Sequence, residues 1–332
     1  MRVAVVQGGP SFEAEVSRKS AAGVANALQQ AGHSVDRIEL APNLARVMLE
    51  GHHDVVFPVV HGRLGEDGAL QGLLEVLGLP YVGSGVLACA VAGDKVQAKS
   101  LFGVHKLPVT DHVVLRARDD IDASIAPLCE HFASCVSGIA VKPTTQGSAI
   151  GVTLVRDTND KDLLRHALIE AFRYDDVVMC ERLIVGREVT CGVLDASELV
   201  GFQALPVTEI FSKAASWYDF ASRYATGGSE HACPASLPPG VFERVQSIAC
   251  AAHRCLGCRD FSRVDFVVGD GDDASAVTLL EVNVIPGMTA TSLFPEAVAA
   301  AGIGFAELCD GLVRTALKRV YHRQIEPKPM PS

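Results

Sequence analysis

Arg263 and Asp265 stand two residues apart in an apolar run, and Glu281 and Asn283 stand two apart in the next. On β-strands, residues at that spacing face the same way. If the strands expected over Ser262–Val268 and Ala276–Val282 are neighbours, the four side chains converge, with Val264, Phe266, Leu280 and Val282 on the other face. Two carboxylates and an amide oxygen are hard oxygen donors, suited to Mg²⁺ or Mn²⁺. Such ions neutralise a polyphosphate, and Arg263 beside them would meet a developing phosphate or carboxylate charge. The bland alternative is a surface hairpin carrying a salt bridge. Two polar pairs interleaved with large apolar residues favour a buried polar face instead.

A second candidate follows Lys142, where a loop of glycine and hydroxyl residues runs from Thr144 through Gly147-Ser148-Ala149 to Gly151. A cation at a strand end and a loop of this type can wrap phosphates with backbone N–H groups. The loop has no Gly-Lys-Ser/Thr order and no dinucleotide fingerprint, so by itself it is a weak signal. A third lies near the N-terminus. Gly8-Gly9 and His61-Gly62-Arg63 both follow expected parallel strands, where open α/β sheets bind ligands. Glu13 there could hold an ammonium group, or could serve the helix dipole with Glu15. His61 could equally be a hydrogen-bonded structural histidine. Cys255 and Cys258 have the C-x-x-C spacing, but no second pair accompanies them. Zinc needs one, so two small residues at a helix end is the plainer reading.

The elements that must position these residues are legible from periodicity. Val3–Gln7, Val35–Leu40 and Val55–Val60 read as strands, with helices at Ser17–Ala31 and around Leu70, Leu73, Leu74 and Leu77. Strand–helix–strand order at these lengths implies a parallel, Rossmann-like sheet. From Asp94 the pattern changes to a small α+β unit. It has strands Ile139–Lys142, Val152–Val155 and Val177–Glu181 and a helix at Lys161–Phe172. Arg187–Leu194 and Glu198–Val207 read as a hairpin turning at Asp195-Ala196-Ser197. A helix follows from Val241 to Leu256, and a terminal amphipathic helix spans Phe305–Tyr321. Phe211–Pro238 lacks periodicity, and loops of that length are usually functional or disordered.

Composition excludes some functions. The chain has 332 residues, 48% hydrophobic and 20% charged, with a net charge of −10. That charge argues against nucleic acid or an anionic membrane as partner. No apolar run is long enough to span a bilayer, and the N-terminal stretch is too short for a secretory signal. The expected location is therefore the cytoplasm, with the ten cysteines reduced.

With these residues assembled, the chain resembles the D-alanine–D-alanine ligase family of the ATP-grasp superfamily. The resemblance runs from about Val3 to Val320 and rests on motifs in order. They are Gly8-Gly9 with Glu13 and Glu15-Val16-Ser17; His61-Gly62-Arg63 with Gly65-Glu66-Asp67-Gly68; Gly83-Ser84-Gly85; Asp94-Lys95; and Lys142-Pro143. Gly147-Ser148, Tyr224, Arg263 to Asp265, and Glu281 to Asn283 with Pro286-Gly287-Met288-Thr289 complete the set. The resemblance implies an α/β chain with a Rossmann-like N-terminal domain followed by a two-part ATP-grasp fold. The expected boundaries are 1–93, 94–183 and 184–322, with 323–332 as a disordered tail.

The resemblance also implies roles. Two D-alanines would be joined through an acylphosphate formed from ATP, for peptidoglycan precursor synthesis. Lys95 and Lys142 would serve the phosphates, Glu181 and the Ile184 backbone the adenine, and Glu188 the ribose. Asp265, Glu281 and Asn283 would hold two Mg²⁺ or Mn²⁺ ions. Glu13 would take the first substrate's ammonium, in a network with Ser148 and Tyr224, and His61 would also contact substrate. Ser292 and the Leu293 backbone would receive the second substrate's carboxylate. Arg263 and the Gly287 N–H would face the developing oxyanion. The segment with Tyr224 would act as a lid, and a homodimer is expected.

Four positions depart from the family pattern. Arg223 stands where lysine is usual beside the site tyrosine, as a contact to ATP and substrate, and a guanidinium fork is not equivalent to a point charge. Ala149 replaces a loop serine, and Val284-Ile285 replaces a smaller or more polar pair. These bear on rate and on second-substrate choice. D-serine or D-lactate as second substrate, or an impaired ATP-binding protein, are the competing readings. Tyr224 points toward an amine, and the intact metal set toward catalysis.

Overall fold

The computed structural model describes residues 1–212, 228–269 and 276–319. Three sheets organise them. The first is parallel, in the order β2-β1-β3, from β1 (Arg2–Gln7), β2 (Ser34–Glu39) and β3 (Val55–Pro58). Val3 to Val6 and Val55 to Phe57 are fully buried. A central parallel strand is covered on both faces, which is why β1 reads as a continuous apolar run rather than an alternating one. Helix α1 (Ala14–Gln30) covers one face through the small residues Ser17, Ser20, Ala21, Val24 and Ala25. Ser17 Oγ accepts from the Gly8 N–H at 2.8 Å and donates to the Val59 carbonyl at 2.7 Å. The ends of β1 and β3 are thereby locked together. Gly8 and Gly9 turn the chain there at φ +75° and +91°, where a side chain would be strained.

Helices α2 (Leu44–Gly51) and α3 (Ala69–Val76) complete this first unit. Helices α4 (Val86–Ala92) and α5 (Lys95–Val104) lead out of it. Asp94 caps α5, accepting from the Val96 and Gln97 N–H groups.

The second sheet has four strands in the order β4-β7-β5-β6, all antiparallel. They are β4 (His112–Arg116), β5 (Ile139–Pro143), β6 (Thr153–Val155) and β7 (Val177–Arg182). Helices α6 (Ile121–His131) and α7 (Lys161–Phe172) back it, packing Leu128, Phe132, Leu164 and Leu168 on Ile139, Val141 and Val178. Periodicity over Ile139–Val155 and Lys161–Phe172 anticipates this unit. It does not reveal β4 or α6, each of which buries only one or two apolar side chains and so carries a weaker pattern.

The third sheet has five strands in the order β10-β9-β8-β11-β12. They are β8 (Gly186–Ala196), β9 (Gly201–Ser212), β10 (Ser229–Ala232), β11 (Asp260–Gly269) and β12 (Val277–Asn283). Helix α8 (Pro239–Cys255) packs on it through Val241, Val245 and Ile248. The hairpin is present, but its turn is residues 197–200, with Gly201 at φ +72° opening the return strand. Phe211–Pro238 is not wholly irregular either, because β10 pairs with the end of β9.

Two last helices, α9 (Leu293–Ala300) and α10 (Phe305–Lys318), return to the N-terminal unit. Phe294, Leu308 and Leu312 share one core with Val5, Val24 and Leu28. His33 meets Asp310 at 2.7 Å, and Asp260 bonds both the Gly83 N–H and Arg319, each at 2.6 Å. Residues 320 and 321 of the expected helix and the expected tail at 323–332 lie outside the described residues.

Candidate active site

The strands β11 and β12 bring the predicted polar set into register. Arg263 lies opposite Asn283, and Asp265 opposite Glu281. Directly opposed residues sit close enough for their side chains to act on one ligand. Arg263 grips Asp265 through two 2.8 Å bonds, and the Thr190 hydroxyl donates to the same carboxylate at 2.6 Å. Asn283 Oδ1 accepts from the Ile285 N–H at 3.0 Å, which fixes the amide oxygen. Glu281 Oε2 lies 3.4 Å from Lys95 Nζ. The register then slips between Asp265 and Phe266, so that Phe266 opposes Leu279. This bulge corrects one expectation: Leu279 is buried in the core, while Leu280 lines the cleft beside Glu281. Bulges redirect side chains in this way.

The donors Asp265, Glu281 and Asn283 are all oxygen, with no sulfur or imidazole among them, and two are carboxylates in direct opposition. That chemistry fits a hard divalent cation, and the side-chain exposures of 14% for Asp265 and 30% for Glu281 leave room for one.

The facing wall is built differently. Glu181 on β7 is buried, with its side chain only 5% exposed. Its Oε1 pairs with Lys142 of β5. Its Oε2 accepts from Lys99 at 2.8 Å and from the Thr110 hydroxyl at 2.7 Å, and Lys99 also bonds Thr110 at 2.9 Å. Burial works against ionisation of Glu181, but the two ammonium groups prevail and hold it well below the usual carboxylate range. Burial likewise lowers Lys99 from the ordinary lysine value, with Glu181 opposing.

Between the walls is an open cleft. Lys95, Lys142, Glu181, Ile184, Glu188 and Glu281 all line it. Lys95 reaches across to the loop after β5, donating to the Gln146 carbonyl at 2.7 Å. The mix of apolar walls with a few charged groups suits a cofactor-like ligand.

At one end the cleft meets the N-terminal unit. The Ser148 hydroxyl donates to Glu13, although the two are 135 residues apart in sequence. Ser148 and Ala149 sit at φ +52° and +59°, an uncommon conformation for residues with a Cβ, and one that recurs at functional loops. A Cβ on Gly62 or Gly147 would lie 3.2 or 3.3 Å from Glu13 Oε2, so both segments close on that carboxylate. His61 sits behind, with Nδ1 3.9 Å from Glu66 and Nε2 3.4 Å from the Ser20 hydroxyl. Burial disfavours a charged His61, but Glu66 and Glu13 raise its pKa above the ordinary value. Glu66 is itself raised, by burial first and by Glu13.

Ser20 also accepts from the Met288 N–H at 3.2 Å, joining α1 to the Gly287 turn. Ser292 Oγ accepts from the Thr289 N–H at 3.0 Å and lies so close to Gly287 that a Cβ there would meet it at 2.7 Å. Leu293 is buried, which leaves its backbone as the group on offer. Arg223 and Tyr224 lie outside the described residues.

Periodicity and motif spacing miss Lys99, Thr110 and Thr190. Lys99 had a signal: it stands four residues after Lys95, on the same face of α5. Thr110 and Thr190 had none, because only the pairing of distant strands brings them to the carboxylates. The Cys255–Cys258 pair is free, and burial pushes the Cys258 thiol up to about 12. Among the described residues no three His, Cys, Asp or Glu side chains cluster to hold a metal.

The chain matches the family model described as "D-ala D-ala ligase C-terminus" over residues 101–314 and "D-ala D-ala ligase N-terminus" over residues 43–84. It is 41% identical over 316 residues to a protein named D-alanine--D-alanine ligase from Geobacter sulfurreducens, covering 95% of this chain and 94% of that one. The like-named protein of Desulforudis audaxviator is 43% identical over 319 residues, with 96% and 99% covered. This chain belongs to the D-alanine–D-alanine ligase family. Among solved structures, the Bacillus anthracis D-alanine--D-alanine ligase complexed with ATP aligns at a TM-score of 0.78 and 29% identity, covering 96% of this chain and 97% of that one. The fold is thus the Rossmann-like N-terminal unit and two-part ATP-grasp of the family. No helix among the described residues is long and apolar enough to cross a membrane. Of the departures from the family pattern, Val284 and Ile285 turn into the core under the third sheet rather than into the cleft.

Proposed function

We propose that this chain joins two D-alanines to D-alanyl-D-alanine, converting ATP to ADP and phosphate, in the supply of peptidoglycan precursors. One observation carries the reading: a cation-lined cleft has opposed carboxylates on one wall and, at its end, the Glu13–Ser148 contact that closes an amino-acid pocket.

A carboxylate is a poor electrophile. An oxygen of the first D-alanine therefore attacks the γ-phosphorus, the bond to the β-phosphate oxygen breaks, and ADP leaves. The amine of the second D-alanine then attacks the acyl carbon and loses a proton to solvent, and inorganic phosphate leaves with the electron pair of the broken C–O bond. Phosphoryl transfer of this kind depends on positioning and on charge neutralisation. Two Mg²⁺ or Mn²⁺ ions, held by Asp265, Glu281 and Asn283, would supply the electrostatic share when bound. Lys95 and Lys142 bind phosphates, Glu181 and the Ile184 backbone take the adenine, and Glu188 takes the ribose. Glu13 binds the first ammonium group. Arg263 and the Gly287 N–H stabilise the oxyanion formed at the acyl carbon. Ser292 and the Leu293 backbone receive the second carboxylate, and His61 orients substrate from behind. By the family resemblance, Arg223 would contact ATP and substrate and Tyr224 would join the Glu13–Ser148 network; exclusion of water would prevent acylphosphate hydrolysis.

Phosphate release with ATP, Mg²⁺ and D-alanine is the test, with D-serine and D-lactate in parallel and product mass as readout. D-alanine-dependent release is expected; its absence sinks the proposal. A dominant D-alanyl-D-lactate product would overturn the role of Tyr224. Domain limits at 93 and 183, a homodimer and a cytoplasmic location belong to the same reading. Light scattering on the eluting protein checks the dimer.

A further inference from the structure

Lys99 is a buried lysine that does not line the cleft, yet it bonds a residue that does. Its side chain is 1% exposed, and both its ligands, Thr110 Oγ1 and Glu181 Oε2, lie within 3 Å. Lys142, by contrast, is 12% exposed, lines the cleft and holds the other oxygen of the same carboxylate. Glu181 thus has two cations, one behind it and one in front.

This matters because Lys142 has two calls on its charge. In the structure it pairs with Glu181, and on the proposed reading it must also serve the nucleotide phosphates. A buried carboxylate whose sole partner leaves is strongly destabilised. With Glu181 and Lys142 alone, the pair would be closed and neutral, and turning Lys142 toward phosphate would strand the carboxylate. With Lys99 included, one anion faces two cations, and a net positive charge remains for the ligand. Thr110 adds a second bond on the same side, so Oε2 stays fixed whatever Oε1 does.

We propose that Lys99 is a positioning residue for nucleotide binding: with Thr110 it neutralises and orients Glu181 from behind, which frees Lys142 for the phosphates. This rests on the reading of the cleft as an ATP site and adds to it a residue outside the cleft. The three groups come from separate places: α5, the connection to β4, and β7. The arrangement therefore couples helix α5 to the second sheet at the adenine end of the cleft. A structural ion pair alone would not need its carboxylate to line the cleft.

The test is steady-state kinetics of the full chain carrying Lys99→Met, with ATP and D-alanine varied in turn. The ATP KM is expected to rise about tenfold or more, equivalent to about 1.4 kcal/mol. The D-alanine KM should stay within about twofold, and kcat at saturating ATP within about threefold. Thr110→Val should raise the ATP KM by a smaller factor, about threefold, since one of two bonds to Oε2 is lost. Lys99→Arg, which keeps the charge, should fall between Lys99→Met and the parent. A thermal melt checks folding, and Thr110→Val carries the test if Lys99→Met does not fold. An unchanged ATP KM in folded variants, or equal losses in both KM values and kcat, overturns the proposal. Failure of the parent chain to need ATP would instead overturn the reading of the cleft, so the two failures are distinct.

Discussion

The two walls of the cleft use the same residue types to opposite ends. On the four-stranded sheet, Glu181 is sealed at 5% exposure between Lys99, Lys142 and Thr110. On the five-stranded sheet, Glu281 is 30% exposed and opposes a second carboxylate, Asp265. On one wall the carboxylate is buried between two cations. On the other, each carboxylate has a cation partner, Arg263 for Asp265 and Lys95 for Glu281, and stays partly open to a ligand. A buried, fully partnered carboxylate acts as a fixed part of the scaffold. A half-open one keeps lone pairs for a ligand and tolerates like charge nearby, because solvent screens it.

The contrast is sharpest under one identical change made on each side. Glu181→Gln leaves buried Lys99 without its anion and Lys142 without its partner, and should cost about 3–5 kcal/mol of unfolding free energy, read by denaturant titration. Glu281→Gln should leave the unfolding midpoint nearly unchanged but lower kcat by on the order of 10²–10³-fold, with weaker Mg²⁺ dependence. The comparison fails if both changes act alike, whether on stability or on turnover.

Glu13→Gln probes the pocket at the end of the cleft. Loss of a charge-assisted bond to an ammonium group should raise the D-alanine KM by about 10- to 100-fold and leave the ATP KM nearly constant. An equal rise in both would place Glu13 in general packing rather than in the pocket.

The smallest expected effect is on pH dependence. His253, on α8 behind β11, bonds Ser262 at 2.8 Å, and burial lowers its pKa from 6.5 to about 4. Between those values the unfolded chain binds the extra proton and the folded one does not. Stability therefore rises with pH across that window and is lost as pH falls through it. One such group contributes at most about 1.4 kcal/mol per pH unit. Glu181 is depressed from 4.5, so its contribution is present above that value and fades only below it. On acidification, support for the open wall weakens first. His253→Gln should flatten the loss of the urea midpoint between pH 6.5 and 4.5; an unaltered slope would remove His253 from the account.

How much could be read without coordinates differs between the walls for a physical reason. The open wall is local. Arg263 with Asp265 and Glu281 with Asn283 share faces by two-residue spacing, and adjacent strands then put them in register. Even there the bulge was invisible, and Leu280 went to the cleft although alternation assigns it to the core. The closed wall is non-local. Lys142 and Glu181 are recognisable by motif, but Thr110 reaches Glu181 only because α5 leads the chain onto β4, beside β7.

From the sequence by itself follow the parallel first sheet, the polar pairs on β11 and β12, the family, and with it the candidate residues at both ends of the cleft. Those features depend on side-chain period and on short motifs, which are properties of neighbouring residues. The tertiary structure decided which carboxylate is sealed and which is open, that Ser148 meets Glu13, and that a buried lysine outside the cleft stands behind Glu181. Burial and charge compensation depend on segments far apart in the chain, and local pattern carries no record of which of them will meet.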